Sequence, residues 1–155
     1  MAESGLLDDL YREIILDHYR QPRNRGAAIE PTCSADGANP LCGDQVRVDV
    51  ALVDGVIGRI AFSGHGCSIS QASASMMTEY AKGRTAAEAL RGVDAFQQMM
   101  LTGEPPEVDG FDDVAALAGV AKFAARVKCA SLAWKTLAQA LAEGGGQVTT
   151  DDGSR

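Results

Sequence analysis

Two glycine-flanked cysteine loops, Asn39-Pro40-Leu41-Cys42-Gly43-Asp44 and Gly64-His65-Gly66-Cys67-Ser68, bracket one stretch of alternating apolar residues. Val46, Val48, Val50 and Leu52 alternate with Arg47 and Asp49, the two-residue period of a half-buried strand. Asp54-Gly55 follows, and Val56, Ile60 and Phe62 form the apolar set of a return strand, so residues 46–62 read as a β-hairpin. A two-residue Asp-Gly turn would set Val46 against Ser63 and Arg59 against Val50, which scrambles the faces. Pairing Leu52 with Val56 keeps them together, because a one-residue slip moves every side chain to the other face. That register predicts a three-residue loop, Val53-Asp54-Gly55, with Gly55 in the left-handed conformation. It sets Val46 facing Phe62 and Asp44 opposite Gly64. Cys42 and Cys67 then emerge at the same end of the hairpin, within a few residues of extended chain at about 3.3 Å each.

The length of 155 residues suits one domain with its own core, expected over residues 1–143. Charged residues make up 23% and hydrophobic ones 46%, the balance of an ordinary globular chain. The net charge of −7 argues against binding nucleic acid by phosphate neutralisation. No apolar run approaches the ~20 residues that a membrane helix needs, and Met1-Ala2-Glu3-Ser4-Gly5 has no signal-peptide character, so a cytoplasmic location is expected. In a reducing compartment, the four cysteines point to metal binding or catalysis before a disulfide framework.

Leu6, Leu7, Leu10, Tyr11, Ile14, Ile15 and His18 recur at helical spacing, and Pro22 stops that first helix. A short strand is expected within Thr32–Ala38. After the hairpin, Ser68 with Gln71 resembles a capping box opening a helix that runs to about Lys82, with Met76, Met77 and Tyr80 on its buried face. Thr85 and Asp94 predict N-caps of two shorter helices, Ala86–Arg91 and Ala95–Leu101. Gly103–Gly110 reads as a loop and Asp112–Leu117 as a helical turn. Val127–Glu143 is the final helix, with Ala130, Ala133, Trp134, Leu137 and Leu141 on one face. Residues 144–155 are expected to be a disordered tail. The expected fold is α+β: a small antiparallel sheet of about three strands with helices packed on one face.

Cys42, Asp44 and Cys67 are the convergent trio. Cys67 stands where a strand ends and a helix begins, near the positive end of a helix dipole, which favours thiolate. Cys129, early in the last helix, is the candidate fourth member, although no local signal says that it reaches the others. Three thiolates and a carboxylate suit tetrahedral zinc, and thiolates also hold iron–sulfur clusters. Arg126 and Lys128 flank Cys129 and offset surplus negative charge. Against this, an intracellular cysteine is commonly a small buried hydrophobe, and none of the spacings is Cys-x-x-Cys. Cys33 carries no ligand pattern and reads as structural. His65 adjoins the second loop but alternates to the opposite face. His18 lies on the apolar stripe of helix one, packed or at an interface.

Leu10-Tyr11-Arg12-Glu13-Ile14-Ile15-Leu16-Asp17-His18-Tyr19, Pro22-Arg23-Asn24-Arg25-Gly26, the two cysteine loops and Arg126-Val127-Lys128-Cys129 together resemble the IscU/NifU N-terminal-domain family of iron–sulfur cluster assembly proteins. The resemblance covers residues 6–143, and within the family the chain is similar to the SufU branch. Lys128 stands where IscU proteins carry a histidine ligand, and Phe111–Ala125 resembles the insertion that marks SufU proteins. The resemblance implies an IscU-like fold, with zinc held by Cys42, Asp44, Cys67 and Cys129. It implies Cys42 as the acceptor of persulfide sulfur from a SufS-type cysteine desulfurase, Asp44 as its functional neighbour, and delivery to a SufB-containing assembly complex. Three functions stay open: a zinc-dependent sulfurtransferase, an iron–sulfur cluster scaffold on the same ligands, and a binding module whose zinc is structural.

Overall fold

The computed structural model describes residues 2–26, 29–143 and 147–149. In chain order they form α1 (Ala2–Arg20), β1 (Cys33–Asn39), β2 (Asp44–Val53), β3 (Val56–His65), α2 (Ser68–Ala81), α3 (Ala86–Thr102), a 3-10 segment (Val114–Lys122), α4 (Ala124–Glu143) and β4 (Gln147–Thr149). The sheet order is β3-β2-β1-β4, with the first three strands antiparallel and β4 parallel to β1. This is the expected α+β arrangement.

The hairpin corrects the predicted register. Val53 pairs with Val56, so the turn is the two-residue Asp54-Gly55, and both residues have positive φ (54° and 79°), as the turn that matches strand twist demands. The faces are rescued further along. Ala51 pairs with Arg59 and Leu52 with Ile57, which leaves Gly58 unpaired as a bulge. The bulge restores parity, so Val48 meets Phe62 and Val50 meets Ile60, while on the turn side of it Ile57 rather than Val56 is the fully buried residue. The extra residue that the faces require is therefore on the strand, not in the loop. One consequence reaches the other end: Gly64 faces Val46 rather than the predicted Asp44, and the ladder runs on to Gln45↔His65.

Val46, Val48 and Val50 are buried while Gln45 and Arg47 are exposed, so one face of the sheet is covered. Helix α4 lies over β1 and β2, and α2 over β3. The approach of α4 is close: a Cβ on Gly37 would run into Thr136 and Leu132, so only glycine lets this helix settle on β1. Between the helices, Trp134 stacks on Phe96 with ring centroids 4.7 Å apart, and Tyr80 and Phe111 pack against it.

The helices depart from expectation in several respects; the last begins at Ala124 rather than Val127. Helix α3 is continuous where two helices are predicted, since Asp94 is solvent-exposed and the buried face Ala89, Val93, Phe96, Met100 runs past it. Its N-terminus does carry a reciprocal Thr85–Glu88 capping box. Helix α2 has none: its N-cap is Cys67, without a side-chain cap, and Gln71 is buried with no partner for its amide among the described residues. Leu10 of the predicted stripe is exposed, whereas Tyr11, Ile14 and Ile15 pack on the core. His18 is packed: fully buried, it binds Ser75 Oγ through Nδ1 (2.7 Å) and Asp113 Oδ2 through Nε2 (2.8 Å). Of the expected tail, residues 144–146 and 150–155 lie outside the described residues, but Gln147–Thr149 is a strand that satisfies the outer edge of β1.

Candidate metal centre

The turn from β1 to β2 is tight. Asn39 pairs with Asp44 across its mouth, the Cys42 amide donates to the Asn39 carbonyl (3.2 Å), and the Gly43 amide donates to the Pro40 carbonyl (3.3 Å). Leu41 and Cys42 form its tip; Leu41 is 69% exposed and Cys42 half-buried.

Asp44 continues the inward-facing series of Val46, Val48 and Val50, one position beyond the apolar core, and is 1% exposed. Its Oδ1 accepts the backbone N–H of Cys67 (2.9 Å), and its Oδ2 accepts the side-chain amide of Asn39 (3.3 Å). The carboxylate thus closes off the N-terminus of α2, whose unsatisfied amides and dipole favour negative charge. Room for it comes from Gly66, where a Cβ would meet Asp44 Oδ1 at 2.5 Å. Cys67 Sγ lies 4.0 Å from Asp44 Oδ2.

Cys129 comes from the first turns of α4 and is fully buried, and its sulfur sits 3.2 Å from Cys42 Sγ and 3.5 Å from the Asn39 side-chain nitrogen. It lies seven residues, two helical turns, before Thr136, so the contact of α4 with Gly37 also aims Cys129 at the end of the sheet. Burial pushes the Cys129 thiol up, and hydrogen bonding to Cys42, Asp44 and Cys67 adds to the effect. Arg126, one turn back and exposed, is pushed up in its turn by a hydrogen bond to Cys129 and by the charges of Cys67, Cys129 and Cys42. The site is an accumulation of acidic groups with a guanidinium at its door.

The donor atoms of Cys42, Asp44 and Cys129 all lie within 4.8 Å of one another, with Cys67 Sγ beside them. Tetrahedral zinc with sulfur at about 2.3 Å requires ligand edges of about 3.8 Å, so these spacings and this donor set suit such an ion. Three of the four residues singled out in the sequence thus form one mutual cluster, and Cys67 adjoins it through Asp44. Cys33 is not among them: it pairs with Val50 at the far end of β1, six residues or about 20 Å of strand from Asn39, where burial pushes its thiol up. His65, opposite Gln45, is exposed. The residue that sequence reasoning missed is Asn39, whose side chain touches both Asp44 and Cys129. The available signal was an inward-facing polar residue at a strand end, next to a loop already marked by cysteine.

Comparison with known proteins agrees with this geometry. The profile of the NifU-like N terminal domain matches residues 10–143. The zinc-dependent sulfurtransferase SufU of Bacillus subtilis is 44% identical over 147 residues, covering 94% of this chain and 99% of that protein. The iron–sulfur cluster assembly scaffold protein IscU of Streptococcus pyogenes is 38% identical, covering 87% of this chain and 84% of that one. Among solved structures, a nitrogen-fixing NifU-like protein (N-terminal) from Brucella abortus superposes with a TM-score of 0.77 at 30% identity, over 86% of this chain and 93% of that one.

Proposed function

The chain belongs to the NifU-like N-terminal domain family, and from that premise we propose that it is an iron–sulfur cluster assembly protein of SufU type, a zinc-dependent acceptor of persulfide sulfur from a SufS-type cysteine desulfurase. The observation that carries the reading is the convergence of the Cys42 and Cys129 thiols with the Asp44 carboxylate, Cys67 lying beside the carboxylate and Cys42 on an exposed turn. Cys42, Asp44, Cys67 and Cys129 would hold the zinc, which would keep their sulfurs as thiolates at neutral pH.

Cys42 is the carrier. Cys67 is tied to a helix N-terminus and Cys129 is buried within a helix, whereas the Pro40–Gly43 turn projects Cys42 beside the exposed Leu41. Such a turn can enter a partner's cleft. There the Cys42 thiolate attacks the outer sulfur of the desulfurase persulfide, R–S–SH. The sulfur–sulfur bond of the persulfide breaks, Cys42–S–SH forms and R–S⁻ stays on the desulfurase. Atoms and electrons balance with no external oxidant. Asp44 holds the α2 terminus in place through Cys67 and supplies an oxygen donor among sulfurs, the harder and less well matched member of the set. The sulfur then passes to a SufB-containing assembly complex.

A cluster scaffold would use the same four ligands, and relatives bearing that name exist. Lys128 favours sulfur transfer, because it stands where the scaffold branch carries a histidine. Elemental analysis of the purified protein with a desulfurase assay tests the reading. Colourless protein with one zinc per chain and strong stimulation of a SufS-type enzyme is expected. Brown protein carrying iron and sulfide, or no stimulation, would overturn it.

A further inference from the structure

We propose that Asn39 is a positioning residue that selects the sulfur carrier: its side-chain amide tethers Asp44 and Cys129, and so leaves Cys42 as the thiol free to depart. The inference rests on the function proposed above and deepens it. Asn39 is fully buried at the last position of β1, and its nitrogen lies 3.3 Å from Asp44 Oδ2 and 3.5 Å from Cys129 Sγ. A side-chain amide has two N–H donors, one for each of these acceptors. Once Asp44 and Cys129 are anionic, both bonds are charge-assisted and about twice as strong as neutral ones. Toward Cys42, Asn39 offers only its backbone carbonyl, which takes the Cys42 amide and so shapes the turn without holding the sulfur.

The amide can face only one way. Turned over, it would set its oxygen against the Asp44 carboxylate and the Cys129 sulfur, both electron-rich. In the orientation adopted, Asn39 Oδ1 is buried with no partner among the described residues. A buried unsatisfied oxygen destabilises a fold and calls for a reason. What Asn39 supplies to the site is therefore its two N–H groups, and its buried oxygen is the cost of aiming them at Asp44 and Cys129. Hydrogen bonds of this kind, one shell out from a metal, orient the ligands and are typically worth 10–100-fold in affinity.

The test uses the full chain with Asn39→Leu, which keeps the shape and removes both donors, and Asn39→Asp, which replaces them with acceptors. Three quantities are read: the metal affinity, the thiolate-to-cobalt charge-transfer band after cobalt(II) substitution, and the cysteine that carries persulfide after incubation with desulfurase and cysteine. A positioning role predicts three changes in Asn39→Leu. Its cobalt band moves to lower energy because sulfur has lost an N–H bond, its metal affinity falls 10–100-fold, and persulfide divides between Cys42 and Cys129. A merely structural role predicts an unchanged affinity, an unmoved band and sulfur on Cys42 alone, and that result would overturn the proposal. Should Asn39→Leu fail to fold, Asn39→Asp decides: a moved band and divided sulfur uphold the proposal, and an unmoved band with sulfur on Cys42 alone overturns it. Wild type that takes up no sulfur on any cysteine would sink the transfer reading while leaving the cobalt and affinity comparisons to judge Asn39.

Discussion

Strands β1 and β2 carry polar clusters on both faces, and the two are built to opposite rules. On the outer face, Ser34 donates to Asp49 (2.6 Å), and Arg47 bridges Asp49 (3.1 Å) and Asp36 (3.3 Å), with Arg47 and Asp36 about half exposed. Those charges are paired, the arginine is wet, and the cluster is complete without any ligand. On the inner face, Asn39, Cys42, Asp44, Cys67 and Cys129 lie at or below the surface, with the Cys42 and Cys129 sulfurs 3.2 Å apart and the Asn39 amide oxygen without a partner among the described residues. Chain polar groups alone leave the inner cluster unfinished, and what finishes it is a cation. An ion-paired surface is decoration on a sheet; a buried set of soft anionic donors is a demand.

Removing the ion should separate the two clusters most. A strong zinc chelator is expected to lower Tm by at least about 10 °C. Ligands from segments up to 87 residues apart make binding energy into folding energy, and a chain of this size shifts by roughly 2–4 °C per kcal/mol. Differential scanning fluorimetry with and without chelator checks it, and an unchanged Tm would put the inner cluster on the same footing as the outer one. Cys42→Ser should abolish persulfide formation, read by mass spectrometry of the desulfurase-treated protein, while Cys33→Ser keeps full zinc and full sulfur uptake. Persulfide mapped to Cys129 in the wild type would move the carrier to the buried helix. Asp44→Ala should retain zinc on three thiolates and lose at least about tenfold in sulfur acceptance, about 1.4 kcal/mol in barrier. Gly66→Ala forces a methyl group against Asp44 and should cost about 1–3 kcal/mol in chemical denaturation. Smallest is Arg47→Ala, which breaks the outer pairs of a half-exposed side chain and should cost no more than about 1 kcal/mol. A loss as large as that of Gly66→Ala would mean that the outer face also organises the site.

Much of this was legible before any coordinates. Alternation along 46–52 set the sheet, and two glycine-flanked loops at the same end of a hairpin placed Cys42 and Cys67 near each other whatever the register. The register itself escaped because face parity can be restored in more than one way: a longer loop and a strand bulge are equivalent to the pattern, and only the left-handed fit of Asp54-Gly55 decides between them. Cys129 reached the site through tertiary packing, the seating of α4 on Gly37, which leaves no mark near Cys129 itself. Asn39 was hidden because a strand-terminal asparagine before proline reads as turn chemistry. The continuity of α3 through Asp94 was a case of a good N-cap residue overruled by a buried face that runs past it.

The imidazole buried between α1 and α2 has a meaning in time as well as in space. Its two partners, Ser75 and Asp113, are 57 and 95 residues further along the chain. A ribosome adding about 5–20 residues per second reaches the second of them some 5–20 s after making His18. Throughout that interval the first helix carries a polar ring with no complete berth, and its apolar side stays open to chaperones or to aggregation. Synthesis then runs on to the last of the four cysteines, so the molecule can close around its ion only after Cys129 has been made.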